Sequence, residues 1–176
     1  MNLKSSKYLS NKMKGVILSM DCIAEKIKKM GFNLRKEDYS KSKYAPVKIV
    51  GNLAFVSGYG STDENGKLSY VGHVGAEVTL EQAYKCARQC AINSLSGLKQ
   101  TIGNLERVDE IVKVLGFVNS AEDFYRQPEV MDGFTDFMNE VFGENSRHAR
   151  SAIGTSNLPN NQPVEVEMIV KLKVPQ

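Results

Sequence analysis

Two stretches near the C-terminus decide how this chain is read: Arg147-His148-Ala149-Arg150-Ser151-Ala152-Ile153-Gly154 and Val164-Glu165-Val166-Glu167-Met168-Ile169-Val170. The first has the length of a short strand. A turn follows, marked by Pro159 and the pair Asn160-Asn161, and then strict alternation begins. In the second stretch Val164, Val166, Met168, Val170 and Leu172 point to one face, and Glu165, Glu167, Ile169, Lys171 and Lys173 to the other. Read as neighbouring strands, they let a guanidinium on one share a pocket with a carboxylate on the next. Arginine presents a rigid fork of donors that suits a substrate carboxylate, and a nearby glutamate can move a proton or orient a water. An ordinary cross-strand ion pair on a solvated face also meets this spacing. Spacing leaves both readings open.

Outward from there, 176 residues with 41% hydrophobic and 24% charged side chains fit one soluble domain with a substantial core. Three cysteines, an odd number without a secretory segment, point to free thiols in a reducing compartment, hence a cytoplasmic protein. No apolar run approaches the roughly 18 residues of a membrane span. The net charge of +3 is unevenly placed: residues 1–48 carry twelve basic and four acidic side chains, a net +8, which leaves −5 for residues 49–176. A nucleic-acid enzyme needs clustered positive charge on the domain itself. Here that charge is peripheral, which disfavours nucleic acid as the partner. Residues 1–18, with four lysines and no acid, read as a disordered basic extension to a single domain over 19–176. Their serine content also fits a mitochondrial presequence, although such segments favour arginine.

The remaining elements follow from periodicity. Ile23, Ile27 and Met30 predict a short helix ended by Gly31, with Cys22 half-buried at its start. Gly51-Asn52 between Val47–Val50 and Leu53–Ser57 predicts a tight hairpin. Thr79 and Gln82 form a capping-box pattern for a long helix running to Gly103. Ile111–Val118 reads as a central, well-covered strand. Ser120–Asp123 is expected to cap a second long helix, with Pro128 in its first turn and Gly143 at its end. The order is hairpin, strand, helix, strand, helix, strand, strand: an α+β fold, its mixed sheet covered on one face by two long helices. The other face carries Ile169 among charges, which suggests an oligomer interface.

Several chemistries are excluded. Ser57-Gly58-Tyr59-Gly60 lets backbone approach a ligand, but no strand–loop–helix with a following lysine supports a nucleotide site. Cys86 and Cys90 are four apart, yet no histidine or acid completes a metal set, and no metal or cofactor is expected. His73 and His148 stand alone, without a serine or cysteine nucleophile arranged around them.

The run Arg-His-Ala-Arg-Ser-Ala (147–152), then Leu158-Pro159 and Val-Glu-Val-Glu (164–167), resembles the signature end of the RidA/YjgF family of reactive intermediate deaminases, also called endoribonuclease L-PSP. The resemblance continues backward through Gly51–Gly58, Gly72-His73-Val74-Gly75 and Gly116-Phe117-Val118-Asn119-Ser120, and is strongest to a longer subgroup. It implies a chorismate-mutase-like fold, a homotrimer with sites between subunits, and hydrolysis of enamines and imines such as 2-aminoacrylate and 2-iminopropionate to keto acid and ammonia. By this resemblance Arg150 holds the substrate carboxylate and Glu165 orients water, while Tyr44, Ser57, Gly58, Tyr59, Phe117 and backbone near Ala152 complete the pocket. The chain departs from the family where Ala152 replaces a frequent cysteine, Tyr59 a glutamine, Asp132 an asparagine and Asn157 an arginine. Two other functions stand beside the deaminase: a non-catalytic trimeric binder of small carboxylates, and an endoribonuclease or translation inhibitor, which the acidic domain disfavours.

Overall fold

The computed structural model describes residues 21–174, and the basic extension expected over 1–18 lies outside the described residues. The chain runs α1 (Cys22–Lys29), β1 (Val47–Val50), β2 (Leu53–Gly60), α2 (Leu80–Ile102), β3 (Val108–Asn119), α3 (Gln127–Phe142), β4 (Ala149–Thr155) and β5 (Val164–Leu172). One mixed sheet results, in the order β1-β2-β5-β3-β4. All pairs are antiparallel except β3–β4, which are parallel and joined through α3.

This order corrects the first expectation drawn from the C-terminal stretches. β4 and β5 are not neighbours, because β3 lies between them. The crossover through α3 returns the chain parallel to β3 at the sheet edge, as a βαβ unit requires. The loop that follows β4 then carries the chain back to the middle of the sheet, where β5 pairs with both β2 and β3. The separate strand expected between hairpin and first long helix does not form either. Residues 61–79 contribute only isolated bridges, Thr62 with Leu68 and Val74 with Val78 and Ser120.

Helix ends obey their local chemistry. Thr79 Oγ1 accepts from the Gln82 amide (3.2 Å) and Gln82 Oε1 from the Thr79 amide (2.9 Å), closing the capping box of α2. Gly103, at φ 83°, ends α2 in a conformation that costs other residues strain. Ser120–Asp123 does not cap α3, which starts later, at Gln127, with Pro128 in its first turn and no side-chain cap on Arg126. Cys22 is exposed rather than half-buried. Asp21 caps α1 by accepting from the Ala24 amide (2.9 Å) and also takes the Leu105 amide (3.0 Å) and Lys99 (3.1 Å), which ties α1 to the end of α2.

The core lies between the sheet and the two long helices. Val164, Val166, Met168, Val170 and Leu172 of β5 are buried with Ile111, Val114 and Val118 of β3, under Leu95 and Leu98 of α2 and Met131, Phe134 and Phe137 of α3. Small residues set the spacing. A Cβ on Gly116 would strike the Met131 side chain, and one on Gly133 would strike the Tyr84 carbonyl oxygen, so α3 packs its side chain onto β3 and meets α2 backbone to backbone. Gly133→Ala is therefore expected to cost about 1–3 kcal/mol of stability through overpacking against backbone that cannot yield. Thermal unfolding checks this; an unchanged midpoint would show that the helices separate freely at Tyr84.

The opposite sheet face has no cover among the described residues. It carries Phe55 (41% exposed) and Ile153 (48% exposed), with Leu115, Phe117 and Ile169 partly exposed among Lys113, Glu165 and Glu167. β3 is interior in the sheet as expected, yet the described residues cover it on one face only.

Candidate functional site

The residues singled out in the sequence fall into two groups on opposite faces of the sheet. Arg150 sits on the edge strand β4, paired with the core residue Val114, and its side chain turns toward α3. Its Nη1 donates to Asp132 Oδ1 and to Thr135 Oγ1, both at 2.9 Å. Nε and Nη2 engage no acceptor among the described residues. The Thr135 hydroxyl lies 3.3 Å from His148 Nε2, and His148 Nδ1 lies 2.6 Å from the Ser146 carbonyl. This pattern fits a neutral imidazole that donates from Nδ1 to the carbonyl and accepts at Nε2 from threonine. Burial pushes the His148 pKa down, and the nearby charges of Arg150 and Lys113 act the same way against the Ser146 hydrogen bond. Ala152 shares the Arg150 side of β4 and packs partly buried against the core.

The second group lies on the uncovered face. Glu165 of β5 pairs across with Phe117 and Gly60, and its Oε2 accepts from Gln162 Nε2 at 2.8 Å. Gly58 and Gly60 make room for these side chains, since a Cβ on Gly58 would overlap the Glu165 carboxylate and one on Gly60 the Gln162 amide. Burial raises the Glu165 pKa above the ordinary 4.5, the charge of Glu167 adds to this, and the Gln162 hydrogen bond opposes it. Ser57 Oγ donates to the Ala45 carbonyl (2.8 Å), and Tyr44 beside it is 69% exposed. Nearby, a concavity of about 370 Å³ is lined by Phe55, Ser57, Lys113, Leu115, Glu167 and Ile169; Arg150 does not border it.

Tyr59, expected in the pocket, turns the other way. Its ring is buried against α2 at Gly97, and its hydroxyl meets that of Tyr39 at 2.8 Å. A β-bulge between Val56 and Tyr59 shifts the alternation and sends this side chain into the core.

The raised Glu165 pKa has a consequence for stability. A carboxyl whose folded pKa exceeds its unfolded one favours the folded state when protonated, and that contribution is lost as pH rises through the folded value. Glu165→Gln removes the burial penalty of the charged form. The variant is expected to melt above wild type at pH 7–8, with the gap closing as pH falls toward 4.5. A gap independent of pH would show that the Glu165 charge is not the cause.

The family described as "YjgF/chorismate_mutase-like, putative endoribonuclease" matches residues 25–172. The chain belongs to the YjgF/chorismate mutase-like family. Within this RidA-type family, Protein TCP17 of Trypanosoma cruzi is 33% identical over 151 residues, 85% of this chain and 94% of that protein. Atu1372 of Agrobacterium tumefaciens, of unknown function, is similar at 36% identity with a TM-score of 0.79, over 86% of this chain and 94% of the other. A Shewanella oneidensis MR-1 structure with the same endoribonuclease description gives 0.80 at 29% identity, over 85% and 99%.

On this RidA-type chain, reading the sequence missed Gln162, Thr135 and the structural role of His148. The paired glycines Gly58 and Gly60 were the available signal for Gln162 and Glu165, as bare positions two apart in a strand mark something lying across it. Thr135 and His148 carried no such signal, because only the packing of α3 on β4 brings them to Arg150. Among the described residues no group of three or more His, Cys, Asp or Glu could hold a metal ion, and no helix is long and apolar enough to cross a membrane.

Proposed function

We propose that the chain is a hydrolytic deaminase of reactive enamines and imines of the 2-aminoacrylate/2-iminopropionate type, working as a homotrimer. Glu165 carries this reading: a half-buried carboxyl, held above Gly58 with its pKa raised by burial, is a better proton acceptor than an exposed one. The unengaged edge of Arg150 is suited to a carboxylate. In one subunit these groups face opposite sides of the sheet, and one small substrate needs both. A contact between copies satisfies this when the β4 edge of one subunit meets the open face of its neighbour. The apolar residues Phe55, Leu115, Phe117, Ile153 and Ile169 give that face a reason to be covered.

In this site Arg150 fixes the substrate carboxylate, and backbone near Ala152 holds the nitrogen. Glu165 takes a proton from water as the water oxygen bonds to the imine carbon and the C=N bond becomes single. That proton passes to nitrogen to give a carbinolamine; its hydroxyl proton is then carried by Glu165 to the nitrogen, the C–N bond breaks, and ammonia leaves as the C=O bond of the keto acid forms. Holding water and imine together removes most of the orientational cost of the addition. Tyr44, Ser57, Gly58 and Phe117 line the Glu165 half of this site.

The test is to generate 2-aminoacrylate enzymatically and follow pyruvate and ammonia release with the chain present or absent. Acceleration over spontaneous hydrolysis is expected. Binding of small carboxylates without acceleration would instead establish a non-catalytic binder.

A further inference from the structure

We propose that Gln162 is the positioning residue of the general base: its amide ties Glu165 Oε2 and leaves Oε1 as the one oxygen that meets the reacting water. The inference rests on the Glu165 reading above and adds the group that aims that carboxylate.

The geometry is specific to these two side chains. Gln162 is only 7% exposed, although glutamine is mostly a surface residue. Its Nε2 donates to Glu165 Oε2 at 2.8 Å. An ionised carboxylate can only accept, so the amide has to present its NH2 end to Glu165. The two groups lie side by side across β2. The Gln162 amide covers Gly60 and Glu165 Oε1 covers Gly58, each so closely that a Cβ there would overlap it. Oε1 engages no donor among the described residues, so one carboxylate oxygen is tied and the other is open.

The backbone that delivers the amide is equally constrained. Asn160 (φ 56°) and Asn161 (φ 55°) are successive left-handed residues, a conformation that residues other than glycine seldom adopt. Fully buried Asn119 donates from Nδ2 to Asn161 Oδ1 at 3.0 Å, and the Asn161 carbonyl accepts from the Gly72 amide at 2.9 Å. The Asn161 and Gln162 amides donate back to the Leu158 and Pro159 carbonyls. Strained backbone held by its surroundings in this way marks working sites, and here it sets Gln162 over Gly60.

The tie also governs the Glu165 proton. Burial and the charge of Glu167 push its pKa up, and the hydrogen bond from Gln162 holds it down. The other groups that face Glu165 among the described residues bring no charge. They are Gly58 and Gly60 of β2, Phe117 of β3 and, from α2, the Cys90 thiol, whose pKa burial pushes well up. Without the amide, Glu165 would keep its proton to higher pH and Oε1 would lose its fixed direction. Fewer molecules would then carry the base at neutral pH, and those would be poorly aimed.

The test measures pyruvate release from enzymatically generated 2-aminoacrylate, above the spontaneous rate at each pH, for wild type, Gln162→Leu, Gln162→Glu and Gly60→Ala. The Glu165 carboxyl is titrated in parallel by carbon-13 NMR, its signal assigned through Glu165→Gln. Gln162→Leu is expected to lose about tenfold in rate at pH 7, with the deficit narrowing as pH rises and the base form returns. Gln162→Glu keeps the shape but sets a second carboxylate against the first, so it should lose at least as much. Gly60→Ala displaces the amide without changing it and should shift the pH profile the same way. In all three the Glu165 signal should titrate at higher pH than in wild type. Full activity in Gln162→Leu overturns the inference. So does a loss that is equal at every pH with the Glu165 titration unmoved, for Gln162 then only supports the loop. Should Gln162→Leu fail to fold, Gly60→Ala decides by the same two readouts. If wild type does not accelerate hydrolysis, the deaminase reading has failed, and the titration alone decides here: an upward move supports the tie and an unmoved one overturns it.

Discussion

Replacing Arg150 by lysine is expected to lower kcat/KM for a 2-imino acid by about 30- to 1,000-fold, a loss of about 2–4 kcal/mol of transition-state stabilisation. Lysine keeps the charge and can still reach Asp132, but it has no planar fork to offer a carboxylate. The present partners of Arg150 predict little change in folding stability. The Arg150–Asp132 pair spans 2.9 Å, with side chains 23% and 49% exposed, and pairs of that exposure contribute about 0–1 kcal/mol. The two roles therefore separate cleanly. A clamp loses activity with its melting temperature nearly intact. A structural strut keeps activity and loses melting temperature. Glu165→Gln gives the complementary result, slower turnover with carboxylate binding largely retained, because the amide keeps the shape and cannot take the proton from water.

A charge on the open face should abolish activity by a different route. Ile169 pairs across the sheet with Phe55 on one side and Lys113 on the other, while its neighbours Met168 and Val170 point into the core. Ile169→Glu leaves that core untouched, so the subunit should fold. In a covered interface the new carboxylate would be desolvated in every copy at a cost of several kcal/mol each. Light scattering is expected to show monomers at micromolar concentration and deamination is expected to vanish. An Ile169→Glu protein that remains trimeric and active would place the subunit contact elsewhere.

What could be read from the sequence was local. The capping box at Thr79, the hairpin at Gly51-Asn52 and the stops at Gly103 and Gly143 each depend on a few adjacent residues, and each formed where its chemistry placed it. Strand order depends on contacts between distant segments, and proximity along the chain misled there. The β4 and β5 stretches, read as partners, are separated by β3. Tyr59 shows how one irregularity redirects a site residue. Strict alternation from the buried Val56 would place Tyr59 on the open face, but the bulge reverses the count and leaves Gly58 beneath Glu165 instead. Asp132 was visible as a departure from the family pattern. That it grips Arg150 required the packing of α3 against the edge strand.

The claim that each site is shared between subunits is tested most directly by mixing two inactive proteins. Arg150→Ala lacks the clamp and Glu165→Gln lacks the proton-transferring carboxyl. If one subunit supplies Arg150 and its neighbour Glu165, random mixed trimers formed by co-refolding contain sites whose two halves are both intact. With equal mixing about a quarter of all sites are restored, since each half is intact in about half of the contacts around a symmetric ring. Pyruvate release from 2-aminoacrylate near a quarter of the wild-type rate is the predicted result. Mixed trimers as inactive as either parent would contradict it.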